Sequence, residues 1–266
     1  MLAFVLKSAD DQQMGALLFQ KCKDFKVYLP EEDHLVADYE GKITVAHGRL
    51  QDVAEELVCL LEPGAVPDKD FVRRVLRTSR RHPGFGVYHV NPVEGEAWPR
   101  KIKAAKLFSR HIQEGLTAPL SSFVFATATL KEKAVFLPDS SLDVLATVMA
   151  CAADKPVRNV WRQTLAYPSV APASGPSEEE KAVRKRLEFY RWSESFFGED
   201  NYPISTGERL EMIAAELAKL YPSHTADELR EEFKGFQAAQ GPIRKVRAAG
   251  ALKSALKARQ QALQVQ

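Results

Sequence analysis

The chain has 266 residues, 45% of them hydrophobic and 27% charged, with a formal net charge of +2. This is the composition of an ordinary globular protein, long enough for one large domain or a medium domain with an appendage, and its charge excludes nucleic-acid binding by bulk electrostatics. Three cysteines, Cys22, Cys59 and Cys151, lie far apart in apolar stretches with no CxxC pair, which argues for buried thiols and against a disulfide scaffold or structural zinc.

The N-terminal apolar run, Met1–Leu6, is too short for a signal-peptide core, and no later run approaches a membrane span. The expected location is the cytoplasm, including the inner face of the membrane. Leu2–Lys7 fits a buried strand. Ser8-Ala9-Asp10-Asp11 offers a helix start, with Met14, Leu17, Leu18 and Cys22 at helical spacing. Phe25–Leu29 reads as a second strand, ended by Pro30 and the acidic cluster Glu31, Glu32 and Asp33. Ile43–Ala46 is a third strand, Leu50–Glu56 a helix, and Leu57–Leu61 a short, wholly apolar strand. Pro67-Asp68-Lys69-Asp70 opens an amphipathic helix that sets Phe71, Val72, Val75 and Leu76 on one side, and Gly86–Val90 follows as a strand. Strands alternating with helices at this spacing predict an α/β fold with a mostly parallel sheet, whose ligands collect at the carboxyl ends of the strands.

Residues 92–120 show no clear pattern. Ser122–Thr127 reads as a strand and Leu130–Glu132 as a short helix. Asp139–Ala153 reads as a longer helix, and Val157–Trp161 as a closing strand. Pro168–Pro176 is rich in proline and serine and reads as a linker. Helices are expected beyond it at Ser177–Trp192, Glu208–Leu220, Ala226–Gln237 and Gly250–Val265. The third carries the capping-box pattern Thr225-Ala226-Asp227-Glu228. The division is thus an α/β domain over 1–167, a linker over 168–177 and a helical extension over 178–266.

The segment Glu55–Asn91 resembles the middle of family-2 glycosyltransferases, where a hydrophobic strand ends in an Asp-x-Asp motif followed by a proline turn, a helix and a strand. Here the strand is Leu57–Leu61, the motif position is Glu62-Pro63-Gly64 and the turn is Val66-Pro67-Asp68. Residues 1–61 resemble the family's nucleotide-binding half and 119–167 its acceptor half. In the latter, the position of an acidic dipeptide opening a long helix is filled by Leu142 and Asp143. The resemblance implies a Rossmann-like GT-A fold. It also implies transfer of a sugar from a nucleotide-diphosphate donor to a glycan or lipid-linked acceptor, with inversion, in surface polysaccharide synthesis.

The family stabilises the leaving diphosphate with Mg²⁺ or Mn²⁺ held by the Asp-x-Asp carboxylates. Glu62 keeps the first carboxylate and is the implied metal and donor ligand; Gly64 has no side chain to offer. Asp143 is the implied general base for the acceptor hydroxyl, with Asp139 as its neighbouring rival. Asp10, Glu31, Glu32 and Asp33 are the implied acidic contacts to the nucleotide. The histidines do not cluster. The arginines of 73–81 read mainly as a solvated helix face, with Arg100, Lys101 and Lys103 placed to approach a donor. The aromatic set Phe189, Tyr190, Trp192, Phe196 and Phe197 reads as helix packing, with sugar stacking as the other reading. The last 26 residues, 241–266, hold six basic residues and no acid. With Leu252, Leu256 and Leu263 they suggest a peripheral membrane contact. Because Gly64 departs from the motif, a second reading stands beside the enzyme: a catalytically impaired protein that binds a sugar nucleotide or a partner enzyme.

Overall fold

The computed structural model describes residues 1–6, 8, 10–30, 41–92, 98–114, 119–133, 141–166, 176–237 and 242–264. Two compact units divide the chain, Met1–Val170 and Ala171–Gln266.

The first unit is built on a nine-stranded sheet. Its strands are β1 (Leu2–Leu6), β2 (Phe25–Leu29), β3 (Val45–His47), β4 (Leu57–Leu61), β5 (Val66–Pro67), β6 (Val87–Pro92), β7 (Lys101–Ile102), β8 (Phe123–Ala126) and β9 (Val157–Ala166). They are ordered β3-β2-β1-β4-β8-β6-β9-β5, with β7 also on β9. Strands β1, β2, β3, β4, β6 and β9 share one direction, while β5, β7 and β8 run against them. The sheet is therefore mostly parallel, as the sequence predicts, with β8 reversed between β4 and β6. Among the described residues the helices of the unit are α1 (Asp11–Leu18), α2 (Phe71–Arg81), α3 (Ala104–Glu114), α4 (Thr127–Lys133) and α5 (Ser141–Cys151).

The central strands are apolar throughout because both faces are covered. One face joins Leu2, Phe4 and Leu6 of β1 and their neighbours on β2 and β4 to Met14 and Leu17 of α1 and to Phe71, Val72 and Val75 of α2. The Phe4 ring meets Phe25 edge-on at 5.7 Å and Phe71 at the same separation. The orientation of α5 follows from its end. A Cβ on Gly86 would lie 2.3 Å from the Cys151 carbonyl oxygen, and Cys151 Sγ reaches the Thr129 carbonyl. The C-terminus of α5 thus abuts the amino end of β6. The eleven residues of α5 span about 16 Å.

Three local expectations differ. Leu50–Glu56 forms only a single 3₁₀ turn, Leu50–Asp52. Helix α3 fills part of the stretch that shows no pattern; its buried set, Ala104, Leu107, Phe108 and Arg110, includes an arginine and so blurs the apolar stripe. Strand β9 runs to Ala166, and its outer edge is paired at opposite ends by β5 and β7, each of two residues.

The second unit is helical: α6 (Pro176–Phe197), α7 (Thr206–Lys219), α8 (Ala226–Gln237) and α9 (Pro242–Gln264). Glu228 Oε2 accepts from the Thr225 amide at 2.7 Å and Glu228 N donates to Thr225 Oγ1 at 3.3 Å, the expected capping box. Ser205 and Glu208 form a second box at the start of α7. Helix α9 begins at Pro242, eight residues before the expected Gly250, since proline fits the first helical position. The rings of α6 stack mainly on one another, with Trp192 and Phe196 at 4.9 Å. Of the expected apolar stripe, Leu252 and Leu256 are buried and Leu263 is half-buried. Among the described residues no helix is long and apolar enough to cross a membrane.

Candidate active site

In the order β3-β2-β1-β4 the chain winds one way from β1 to β3 and then returns to place β4 on the other side of β1. Such a reversal opens a crevice at the carboxyl ends of the two strands, where open α/β sheets bind ligands. Leu6 pairs with Leu61 at that edge. Ser8 and Asp10 after β1, and Glu62–Ala65 after β4, therefore flank the crevice.

Asp10 sits in extended backbone and caps α1, its Oδ1 accepting from the Gln13 amide at 2.7 Å. One oxygen of this implied nucleotide contact is thus committed to the helix. Gln13, fully buried, donates through Nε2 to the carbonyls of Glu62 at 2.6 Å and Ala65 at 3.2 Å. It ties α1 to the end of β4.

Glu62-Pro63-Gly64-Ala65 is a type II turn. The Ala65 amide donates to the Glu62 carbonyl at 3.1 Å, proline fills the second position and Gly64 has φ +77°. That conformation explains the glycine: a residue with a Cβ is strained there. Gly64 therefore belongs to the turn that ends β4 and is not merely a missing carboxylate.

The Glu62 side chain is clasped by Ser121, which is fully buried in the 3₁₀ turn before β8. Glu62 Oε2 accepts from the Ser121 amide at 3.1 Å and from Ser121 Oγ at 3.2 Å, while Ser121 Oγ accepts from the Glu62 amide at 2.7 Å. Neither Gln13 nor Ser121 stands out in the sequence, because isolated polar residues in apolar stretches carry no spacing signal. The clasp also bears on a metal. A divalent ion held by the protein needs several hard oxygen ligands. Here one Glu62 oxygen is turned to Ser121, Gly64 supplies no side chain, and among the described residues no three His, Cys, Asp or Glu side chains converge. The described residues do not fit an ion held by protein carboxylates alone.

Asp143 lies in the first turn of α5 and is half-buried. Glu31, Glu32, Asp33 and Asp139 lie outside the described residues. His89 is fully buried and stacked on Trp98 at 3.8 Å, and burial pushes its pKa down to about 3. It is a neutral core histidine, as its isolation in sequence suggests. Cys59 and Cys151 are buried thiols, and burial pushes Cys151 up to about 12.

Two cavities among the described residues are lined by none of Asp10, Gln13, Glu62 and Ser121. One, of about 430 Å³, lies by Phe25 and Val45 at the starts of β2 and β3. The other, of about 650 Å³, runs along α2 and is lined by arginines.

No family model matches the sequence, and no curated protein matches it. Solved structures share its fold. The chain is similar to Staphylococcus aureus TarS 1–349 in complex with UDP-GlcNAc, at 14% identity and a TM-score of 0.54, over 94% of this chain and 79% of that one. TarS 1–349 in complex with UDP gives 14% identity and 0.52, over 96% and 80%. A mannosyltransferase from Pyrobaculum calidifontis in complex with GDP-Man and Mn²⁺ gives 12% and 0.48, over 97% and 85%. The first unit has the GT-A-type α/β fold in a divergent sequence, followed by helices.

Proposed function

We propose that the chain is a glycosyltransferase that moves a sugar from a nucleotide-diphosphate donor to a glycan or glycolipid acceptor. One observation carries this reading: Asp10, Gln13, Glu62 and Ser121 converge at the β1–β4 crevice of a fold shared with a protein solved with UDP-GlcNAc. Asp10, with Glu31 and Asp33, contacts the nucleotide, and Glu62 borders the donor. Asp143 takes the acceptor hydroxyl proton as that oxygen attacks the anomeric carbon. The bond from carbon to the diphosphate breaks, its electron pair leaves with the nucleoside diphosphate, and a single displacement inverts the centre. Surface polysaccharide synthesis suits such an acceptor.

A second reading is a sugar-nucleotide-binding protein without transferase activity. The Gly64 turn and the Ser121 clasp favour it, because they take away the usual carboxylate pair. The test is thermal-shift titration with UDP-, GDP-, dTDP- and CMP-sugars, with and without Mn²⁺, followed by a transfer assay. The expected result is stabilisation by one nucleotide class with no Mn²⁺ requirement. Asp143→Asn then lowers kcat by at least about 100-fold, the usual loss on removing a general base, with donor binding intact. Binding without transfer supports the second reading, and no binding to any donor defeats both.

A further inference from the structure

The 650 Å³ cavity along α2 is lined by Arg73, Arg74, Arg77, Arg81, Arg100 and Arg158, against one acid, Asp70. Two aspartates balance part of this charge: Asp70 pairs with Arg73 at 2.8 Å, and Asp68 and Asp70 pair with Arg74. Arg77, Arg81 and Arg158 have no carboxylate within ion-pair distance among the described residues. Arg158 instead donates to His82 Nε2 at 2.7 Å, which fixes its guanidinium at the wall of the cavity. A guanidinium only donates, so His82 Nε2 is the acceptor, and partial desolvation and that guanidinium shift the imidazole pKa down from its ordinary value. Arg80, on the same helix, turns away to Asp24 at 3.1 Å.

Guanidinium groups that face one cavity repel one another until an anion enters. Their fork of donors suits tetrahedral oxyanions. Arg73, Arg77 and Arg81 follow at four-residue steps, about 6 Å apart along the helix axis. That is a row, not a point, and it matches an anion repeated along a chain. Nucleic acid fits less well: proteins that bind single strands stack bases on aromatic rings, and among the described residues no aromatic ring but the engaged His82 imidazole lines the cavity.

We propose that the arginine groove along α2 binds a polyanionic chain without bases, one carrying sulfate or phosphate groups at intervals. The proposal rests on the groove alone and stands whether or not the crevice binds a sugar nucleotide.

The test is direct binding of three fluorescent probes to the full chain: a heparin-derived oligosaccharide, inorganic polyphosphate and a single-stranded RNA of matched charge. The heparin and polyphosphate arms separate a sulfate-bearing from a phosphate-bearing source. At least one of them binds, and the Arg77→Gln/Arg81→Gln double variant weakens it tenfold or more. Both side chains are exposed, so the variant folds, which its thermal melt checks. Arg80→Gln serves as the control and binds like the unaltered chain. Equal loss with Arg80→Gln, or no loss with the double variant, overturns the groove. Failure of both base-free probes, or tighter binding of RNA than of either, overturns the ligand class. Sugar-nucleotide stabilisation of the double variant is read in parallel, so failure of the donor site is seen separately.

Discussion

Removing the Ser121 hydroxyl tests whether Glu62 is positioned or merely present. Ser121→Ala deletes the acceptor for the Glu62 amide at 2.7 Å and one of two donors to Glu62 Oε2, leaving the Ser121 amide at 3.1 Å. The first loss strands a partly buried N–H and the second breaks a charge-assisted bond, together about 2–4 kcal/mol. With a urea slope near 2 kcal/mol per molar, the midpoint falls by roughly 1–2 M. Hydrogen exchange of the β1 and β4 amides along the urea series reads the α/β unit alone. Adding Glu62→Gln completes a double-mutant cycle. Groups in direct contact are expected to couple by roughly 0.5–3 kcal/mol. An unchanged midpoint for Ser121→Ala, or strict additivity with Glu62→Gln, refutes the clasp.

Two further outcomes follow from the same geometry. Gly64→Asp, which adds a carboxylate at the third position of the turn, is expected to destabilise the unit by about 1–2 kcal/mol because φ is +77° there; a urea midpoint at or above that of the unaltered chain refutes the left-handed turn position. His89 titrates at about 3 when folded, against 6.5 for the unperturbed group. The unfolded chain therefore binds one proton more between these values. Stability contributed by the neutral ring is complete above pH 6.5 and is lost as pH falls toward 3, at up to about 1.4 kcal/mol per pH unit. His89→Phe removes one proton from that dependence, measured as the slope of unfolding free energy against pH between 4 and 6 (about 1.4 kcal/mol per unit shallower).

The crevice is legible in part from residue order alone. Leu57–Leu61 is a strand because an unbroken apolar run, covered on both faces, has no other use. Its end therefore places Glu62 at a carboxyl edge. Asp10 announces itself as a helix start. Gln13 and Ser121 do not, since their roles depend on chain segments 49 and 59 residues distant from them. The arginines of 73–81 read as a solvated face, yet most of them share a cavity with Arg100 and Arg158. Helical periodicity gives the side of α2 they occupy but not what stands opposite.

The sequence alone determined the alternation of strands and helices, the Glu62-Pro63-Gly64 end of β4 and the acidic start of α5. These are local properties, set by periodicity, capping and residue type within a few turns of chain. Only the tertiary structure decided that β8 runs antiparallel between β4 and β6 and that Gly64 serves a left-handed turn position. It also decided that Glu62 answers to Ser121 and that scattered arginines line one groove. Strand pairing and side-chain convergence are settled by packing between distant segments, and no local pattern encodes which of them will meet.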